Sequence, residues 1–233
     1  MLLHPSMTFW LAEEHITQLS RCAVDLERIL LKELKAIERK TRKARKKSSE
    51  REELESEWCY VCDTLRQSIR YALFVALYGQ FEQALYGISE DLRLRFKVPL
   101  SLRDIAGQGI RRYQTFFKKV LQVSFPDDEP EWQRLLKLGE LRNYLVHKTT
   151  WVSERSTDKK VLGIIDGEKY LRASESGPLE FDGRFVPNVA LLFEAFIVEF
   201  AYRCVQDRSS LGQTKKRLSL KSVKKKLSLG VRH

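Results

Sequence analysis

The sequence predicts an all-α bundle of long helices, with a small β-hairpin appendage and a basic C-terminal tail. Three observations lead there. Apolar residues recur at spacings of three and four over long stretches, at 9–37, 58–97 and 130–147. The middle of one, Tyr71–Ile88, is apolar nearly all round, which marks a central helix. Short β-branched segments with Asp-Gly turns are confined to 149–187. With 233 residues and 43% hydrophobic content, the chain has ample material for a core. It reads as one domain over 1–207 with a tail over 208–233.

The elements follow in order. Ile16, Leu19, Ala23, Leu26, Leu30, Leu34 and Ile37 define the first helix. A charge block follows, with Arg39, Lys40, Arg42, Lys43, Arg45, Lys46 and Lys47 preceding Glu50, Glu52, Glu53, Glu55 and Glu57. A turn at Ser48-Ser49 would make 38–57 the tip of a solvated helical hairpin; an uninterrupted helix would instead pair charges at i,i+4. Either way the acidic half offsets the basic half, and a role in gripping RNA is the secondary reading. Residues 58–97 form the second long helix, ended by Pro99. Cys59-x-x-Cys62 has no second pair to complete a zinc site. Both cysteines are expected in the core as small hydrophobes.

Ser101-Leu102-Arg103-Asp104 resembles a capping box and predicts a third helix to about Val123. Arg111, Arg112, Lys118 and Lys119 flank Tyr113, Phe116 and Phe117, a mixture able to bind single-stranded RNA. The stronger expectation places those aromatics in the core. Asp127 and Asp128 can cap the next helix, and Pro130 suits its first turn. Beyond that helix, Thr149–Val152, Val161–Ile165, Tyr170–Arg172 and Phe181–Phe185 read as short strands, with turns at Asp166-Gly167 and Asp182-Gly183. Asn188 is the expected cap of a last apolar helix to about Gln206.

The helix before the appendage carries the candidate chemistry. Leu135, Leu138, Leu141 and Leu145 give it one apolar stripe, and Arg142, Asn143 and His147 sit near its end. Arginine holds a phosphate with a planar fork. Histidine takes or gives a proton near neutral pH. Those groups suit phosphoryl chemistry without a metal. Arg142 and His147 are about 140° apart around a helix of 3.6 residues per turn, whereas Asn143 and His147 share a face.

Arg142-Asn143-Tyr144-Leu145-Val146-His147 resembles the signature of the HEPN superfamily, in which an Arg, a polar residue, a few spacers and a His end a helix of an all-α bundle. Tyr78-Gly79-Gln80-Phe81-Glu82, inside its apolar helix, is similar to the central helix of that family. The resemblance covers about residues 58–207. It implies a metal-independent endoribonuclease without a cofactor, acting as a homodimer whose two motifs line one cleft. Many members are toxins or phage-defence effectors, which implies a cognate antitoxin or defence partner protein. The resemblance also implies an acidic residue near the motif. Glu82 is then the partner of Arg142; the alternative sets Glu82 on a wet face beside Gln83. In the implied reaction an RNA 2′-hydroxyl attacks the adjacent phosphate and leaves a 2′,3′-cyclic phosphate. His147 acts as general base or acid, Arg142 stabilises the charged oxygens, and Asn143 orients the phosphate or His147. One departure is clear. Members silenced by nucleotide addition carry a Tyr two residues past the His, where this chain has Thr149.

Nine Lys or Arg and no acidic residue fall in 208–233, which leaves only +2 of the net +11 for residues 1–207. Lys215, Lys216 and Arg217, then Lys224, Lys225 and Lys226, each precede Leu-Ser-Leu. With Lys148 they are the candidate RNA contacts, through phosphates and without sequence readout. An anionic membrane surface or plain solubility are the other roles open to the tail. The first residues lack the basic region and cleavage site of a secretory signal. No apolar run is expected to reach the ~18 residues of a membrane span, since Glu194 and Glu199 interrupt Val189–Tyr202. The expectation is a cytoplasmic protein without membrane insertion. A catalytically silent RNA- or protein-binding HEPN module and a structural helical adaptor are the rival readings.

Overall fold

The computed structural model describes residues 7–44, 48–148, 152, 159–173 and 178–209. Their elements are α1 (Met7–Lys43), α2 (Ser49–Cys59), a π-helical turn (Tyr60–Leu65), α3 (Arg66–Phe96), a 3-10 turn (Leu102–Asp104), α4 (Gly109–Thr115), a second π-helical turn (Phe116–Val120), α5 (Pro130–His147), α6 (Lys159–Asp166), β1 (Leu171–Arg172), β2 (Glu180–Phe181) and α7 (Phe185–Ser209). The protein is mostly helical with one small antiparallel hairpin, in which Leu171 faces Phe181 and Arg172 faces Glu180.

Two compact units can be distinguished. Among the described residues, the first comprises those within 7–17, 78–140 and 190–209, and the second those within 18–77 and 141–189.

The first unit is built on aromatic packing. Phe81 stacks on Phe193 at 4.3 Å, Phe117 meets Phe200 edge-on at 4.6 Å, and Phe125 meets Trp132 at 5.0 Å. Phe116 and Phe117 are fully buried, so the basic-aromatic mixture is a core stripe with solvated lysines. Such ring pairs add to plain area burial in their preferred offset and edge-to-face geometries. Asp127 binds Lys118 at 2.7 Å, and Asp128 binds Arg203 at 2.5 Å. Their carboxylates are therefore engaged away from the start of α5, where Pro130 takes the first position as expected. The Ser101–Asp104 capping box is present, but it opens a 3-10 turn, and the third helix begins only at Gly109. Before it, α3 stops at Phe96 because Lys97 adopts a left-handed conformation (φ 54°), ahead of Pro99.

Gly139 is required by close approach: a Cβ there would collide with the hydroxyl of buried Tyr78, which donates to the Leu135 carbonyl at 3.4 Å. Gly139→Ala is expected to destabilise the protein by up to about 2 kcal/mol, because the Tyr78 hydroxyl would have to move. Overpacking costs ~1–3 kcal/mol and the better helix former returns ~1 kcal/mol. A thermal melt at or above the wild-type midpoint would contradict this.

In the second unit the chain makes the expected hairpin tip. Ser48 caps α2 by accepting the Arg51 amide at 3.3 Å. Leu30, Leu34 and Ile37 of α1 form a buried cluster with Val61, and Leu54, Cys62, Leu65 and Ile69 pack on it. The glutamates of α2 and the basic residues ending α1 are exposed. Cys62 is thus partly in the core as expected, whereas Cys59 is exposed, just before the π-helical turn. A π turn rotates the following side chains, so one helical phase does not carry through it.

Below this tip a half-buried ion cluster around buried Arg70 ties α1 and α3 to the hairpin. Glu27 binds both Arg66 (3.1 Å) and Arg70 (Nη2, 2.8 Å; Nε closer still). Arg70 also donates to the Phe181 carbonyl at 2.5 Å, and the Phe181 amide donates to Gln67 at 2.8 Å. Phe74 packs on Phe185 at 5.2 Å beside it.

The appendage differs from its expected form. Val161–Ile165 is the middle of a helix, not a strand, with Val161, Ile164 and Ile165 buried. Those positions are spaced by three and one, a helical pattern that outweighs β-branched composition. Asp166-Gly167 ends this helix and turns no hairpin. Of the two later segments, Tyr170–Arg172 keeps Leu171–Arg172 as β1, whereas β2 is Glu180–Phe181 and shares only Phe181 with the expected Phe181–Phe185. Phe185 belongs to α7, and Asn188 lies within its first turn. Asp182 instead braces the turn that leads into α7, accepting the Arg184 amide at 2.9 Å and binding its guanidinium at 2.8 Å. Thr149–Trp151 lies outside the described residues, and Val152 is fully buried.

Residues Phe185–Cys204 of α7 are long and apolar enough to cross a membrane by length and composition, with 56% of the window buried within the protein. The run is longer than the sequence suggested, because it begins at Phe185 and tolerates two acids. Glu194 accepts from Thr17 at 2.8 Å and Glu199 binds Arg203 at 2.8 Å. This is the pattern of a core helix with its carboxylates paired.

Candidate active site on the last turns of α5

Helix α5 presents the motif because its opposite side is fixed. Leu135, Leu138 and Leu141 are fully buried and Leu145 nearly so, as the spacing predicted. The other side carries exposed Asn143, Val146, His147 and Lys148. Arg142 is half-buried at the edge of the stripe. Its Nη1 donates to the Asn143 Oδ1 at 2.9 Å, so the amide and guanidinium form one unit. One turn on, the imidazole of His147 ends the helix.

Two contacts steady that end. The Lys148 amide donates to the Tyr144 carbonyl at 2.9 Å, which extends the last turn by one residue. The hydroxyl of Tyr71 on α3 donates to the Leu145 carbonyl at 3.4 Å, satisfying one of the carbonyls that a helix C-terminus leaves without a partner. The ammonium of Lys148 lies over the Tyr144 ring, 5.0 Å from its centre.

Four of the expected residues, Arg142, Asn143, His147 and Lys148, thus lie together at one helix end in the second unit. Glu82 is half-buried on α3 in the first unit. Its charge is felt there by Tyr113, whose hydroxyl is pushed up to about 12 by burial first, then by Glu82, against the opposing charge of Arg112. The six tail residues, Lys215, Lys216, Arg217, Lys224, Lys225 and Lys226, lie outside the described residues. Among the described residues, no group of three or more His, Cys, Asp or Glu could hold a metal ion.

Two features escaped the sequence. The Glu27–Arg66–Arg70 cluster was signalled only by two arginines four apart on an apolar helix. An open cavity of about 570 Å³ lies in the second unit, lined by Leu162, Asp166, Glu168, Lys169, Leu171, Arg172 and Ala173. The β-branched composition of this segment predicts a hairpin here, which leaves no such cavity.

No protein-family model matches the chain, and no curated protein or solved structure matches it either.

Proposed function

We propose that the protein is a metal-independent endoribonuclease of the HEPN type. The observation that carries this is the arrangement at the end of α5. A guanidinium braced by an amide and an exposed imidazole one turn away stand on a helix locked by four buried leucines. The fork of Arg142 suits the non-bridging oxygens of a phosphate. His147 is placed to take the proton of an attacking 2′-hydroxyl or to give one to the leaving 5′-oxygen, a role worth ~10²–10⁴ in rate. Asn143 orients Arg142 through its 2.9 Å bond and offers its amide N–H to the substrate. Glu82 is the proposed anchor of Arg142.

Arg142 and His147 diverge by about 140° on an ideal helix, so aiming both at one phosphate favours two copies of α5. The active form is accordingly a homodimer with the motif helices facing each other. RNA is the substrate, gripped by Lys148 and the basic tail. The setting is cytoplasmic, as a toxin or phage-defence effector with a cognate antitoxin or partner protein. The test is incubation with total RNA in excess EDTA, followed by mapping of the new ends. The expected ends are a 2′,3′-cyclic phosphate and a 5′-hydroxyl. RNA binding without cleavage would make the protein a catalytically silent module instead.

Deleting 208–233 should weaken RNA binding and flatten its salt dependence. The deletion removes nine cations, and each phosphate neutralised on single strands contributes about 0.7 to the slope of log affinity against log salt. An unchanged slope would show that the tail does not touch RNA.

A further inference from the structure

We infer that Tyr144 is a base-stacking residue, which fixes the nucleobase next to the scissile phosphate of an RNA bound at Arg142 and His147; this rests on the ribonuclease reading above. Tyr144 precedes His147 by three residues and Lys148 by four, so all three side chains share one helix face. Leu141 and Leu145, on either side of it along the buried stripe of α5, are buried, whereas the Tyr144 ring stays half-exposed next to exposed Val146 and His147. Its hydroxyl has no hydrogen-bond partner among the described residues. A tyrosine serving only the core is normally both buried and bonded. Here the ring offers a flat face beside the imidazole, and that face already attracts the Lys148 ammonium at 5.0 Å.

Every base has a π-face, so an aromatic platform holds RNA with little sequence preference. The Lys148 ammonium, four residues along the same face, then meets the phosphate next to the stacked base. Stacking and phosphate contact then hold one nucleotide on both sides of its sugar, whose 2′-hydroxyl lies within reach of His147. The stacked base also explains how an exposed helix end can position a flexible strand. Purines, with the larger face, should be favoured at that nucleotide.

The test uses full-length His147→Ala protein, which should bind RNA without cutting it, and RNA oligonucleotides with 2-aminopurine at successive positions. Stacking quenches that base. One position is expected to quench strongly. Adding Tyr144→Phe should preserve the quench; adding Tyr144→Ala should abolish it and weaken binding about tenfold. Circular dichroism should show equal helicity throughout. With His147 present, Tyr144→Ala should raise KM about tenfold with kcat little changed, and Tyr144→Phe should restore it. An equal quench in the alanine variant, or its loss in the phenylalanine variant, overturns the stacking role. Absence of cleavage by the wild type overturns the ribonuclease reading alone, since the quench is measured on protein that does not cut.

Discussion

Arg142→Ala and His147→Ala should each lower RNA cleavage by at least about a hundredfold while leaving the fold and RNA binding in place. Each variant loses a group that acts in the transition state. Removing one preorganised donor to a developing oxyanion costs ~10²–10³ in kcat. Losing a general acid or base costs ~10²–10⁴. Arg142→Lys should fail as well, because an ammonium cannot reproduce the two-pronged grip of a guanidinium. Asn143→Ala should have a smaller effect, since it removes the 2.9 Å brace and leaves the guanidinium. His147 is exposed at the end of α5, so its truncation creates no cavity. Single-turnover cleavage of a labelled RNA, with binding measured in parallel, checks all four. Full activity in Arg142→Ala or His147→Ala would remove the motif from the mechanism.

The second large effect concerns stability. Glu27→Ala should destabilise the protein by about 3–5 kcal/mol, the usual cost of leaving buried charge uncompensated. Arg70 is 7% exposed, and without Glu27 it would keep only its bond to the Phe181 carbonyl among the contacts described above. Replacing Glu27 and Arg70 together by apolar residues should cost less than the two single changes summed, because no charge is then stranded. The pH dependence follows from the same cluster. Burial alone would raise the Glu27 carboxyl, but the hydrogen bonds and charges of Arg70 and Arg66 hold it below its ordinary value of 4.5. The folded state therefore binds this proton less readily than the unfolded chain. The contribution is fully present above the ordinary carboxylate range and is lost as pH falls through the depressed folded value. Denaturant melts of wild type and Glu27→Gln should differ most near neutral pH and converge in acid. A gap that widens in acid would reverse the assignment.

What the sequence could convey depended on how local each signal was. The stripe Leu135–Leu145 and the faces of Arg142, Asn143 and His147 follow from residue spacing on one helix, and they stand as expected. Burial of Phe116 and Phe117 was legible in the same way. The appendage was not, since Val161–Ile165 satisfies strand composition and helix spacing in only five residues. The partner of Glu27 lies 43 residues away, and no periodicity reports such a pairing. Cys59 was misplaced because the π turn that follows it changes the helical phase. Asn188 lies inside α7 rather than at its cap because the apolar run begins earlier than its continuous part suggested.

The central claim is that an RNA 2′-hydroxyl is the nucleophile, driven by Arg142 and His147 without a metal. The most direct measurement uses an RNA with a mapped cleavage site and a single 2′-deoxy substitution at the cleaved nucleotide, in excess EDTA. The unsubstituted RNA should be cut and the substituted RNA should remain intact, because it lacks the attacking oxygen while retaining every base and phosphate contact. Cleavage of the substituted RNA at the same bond, or loss of all cutting in EDTA, would contradict the account.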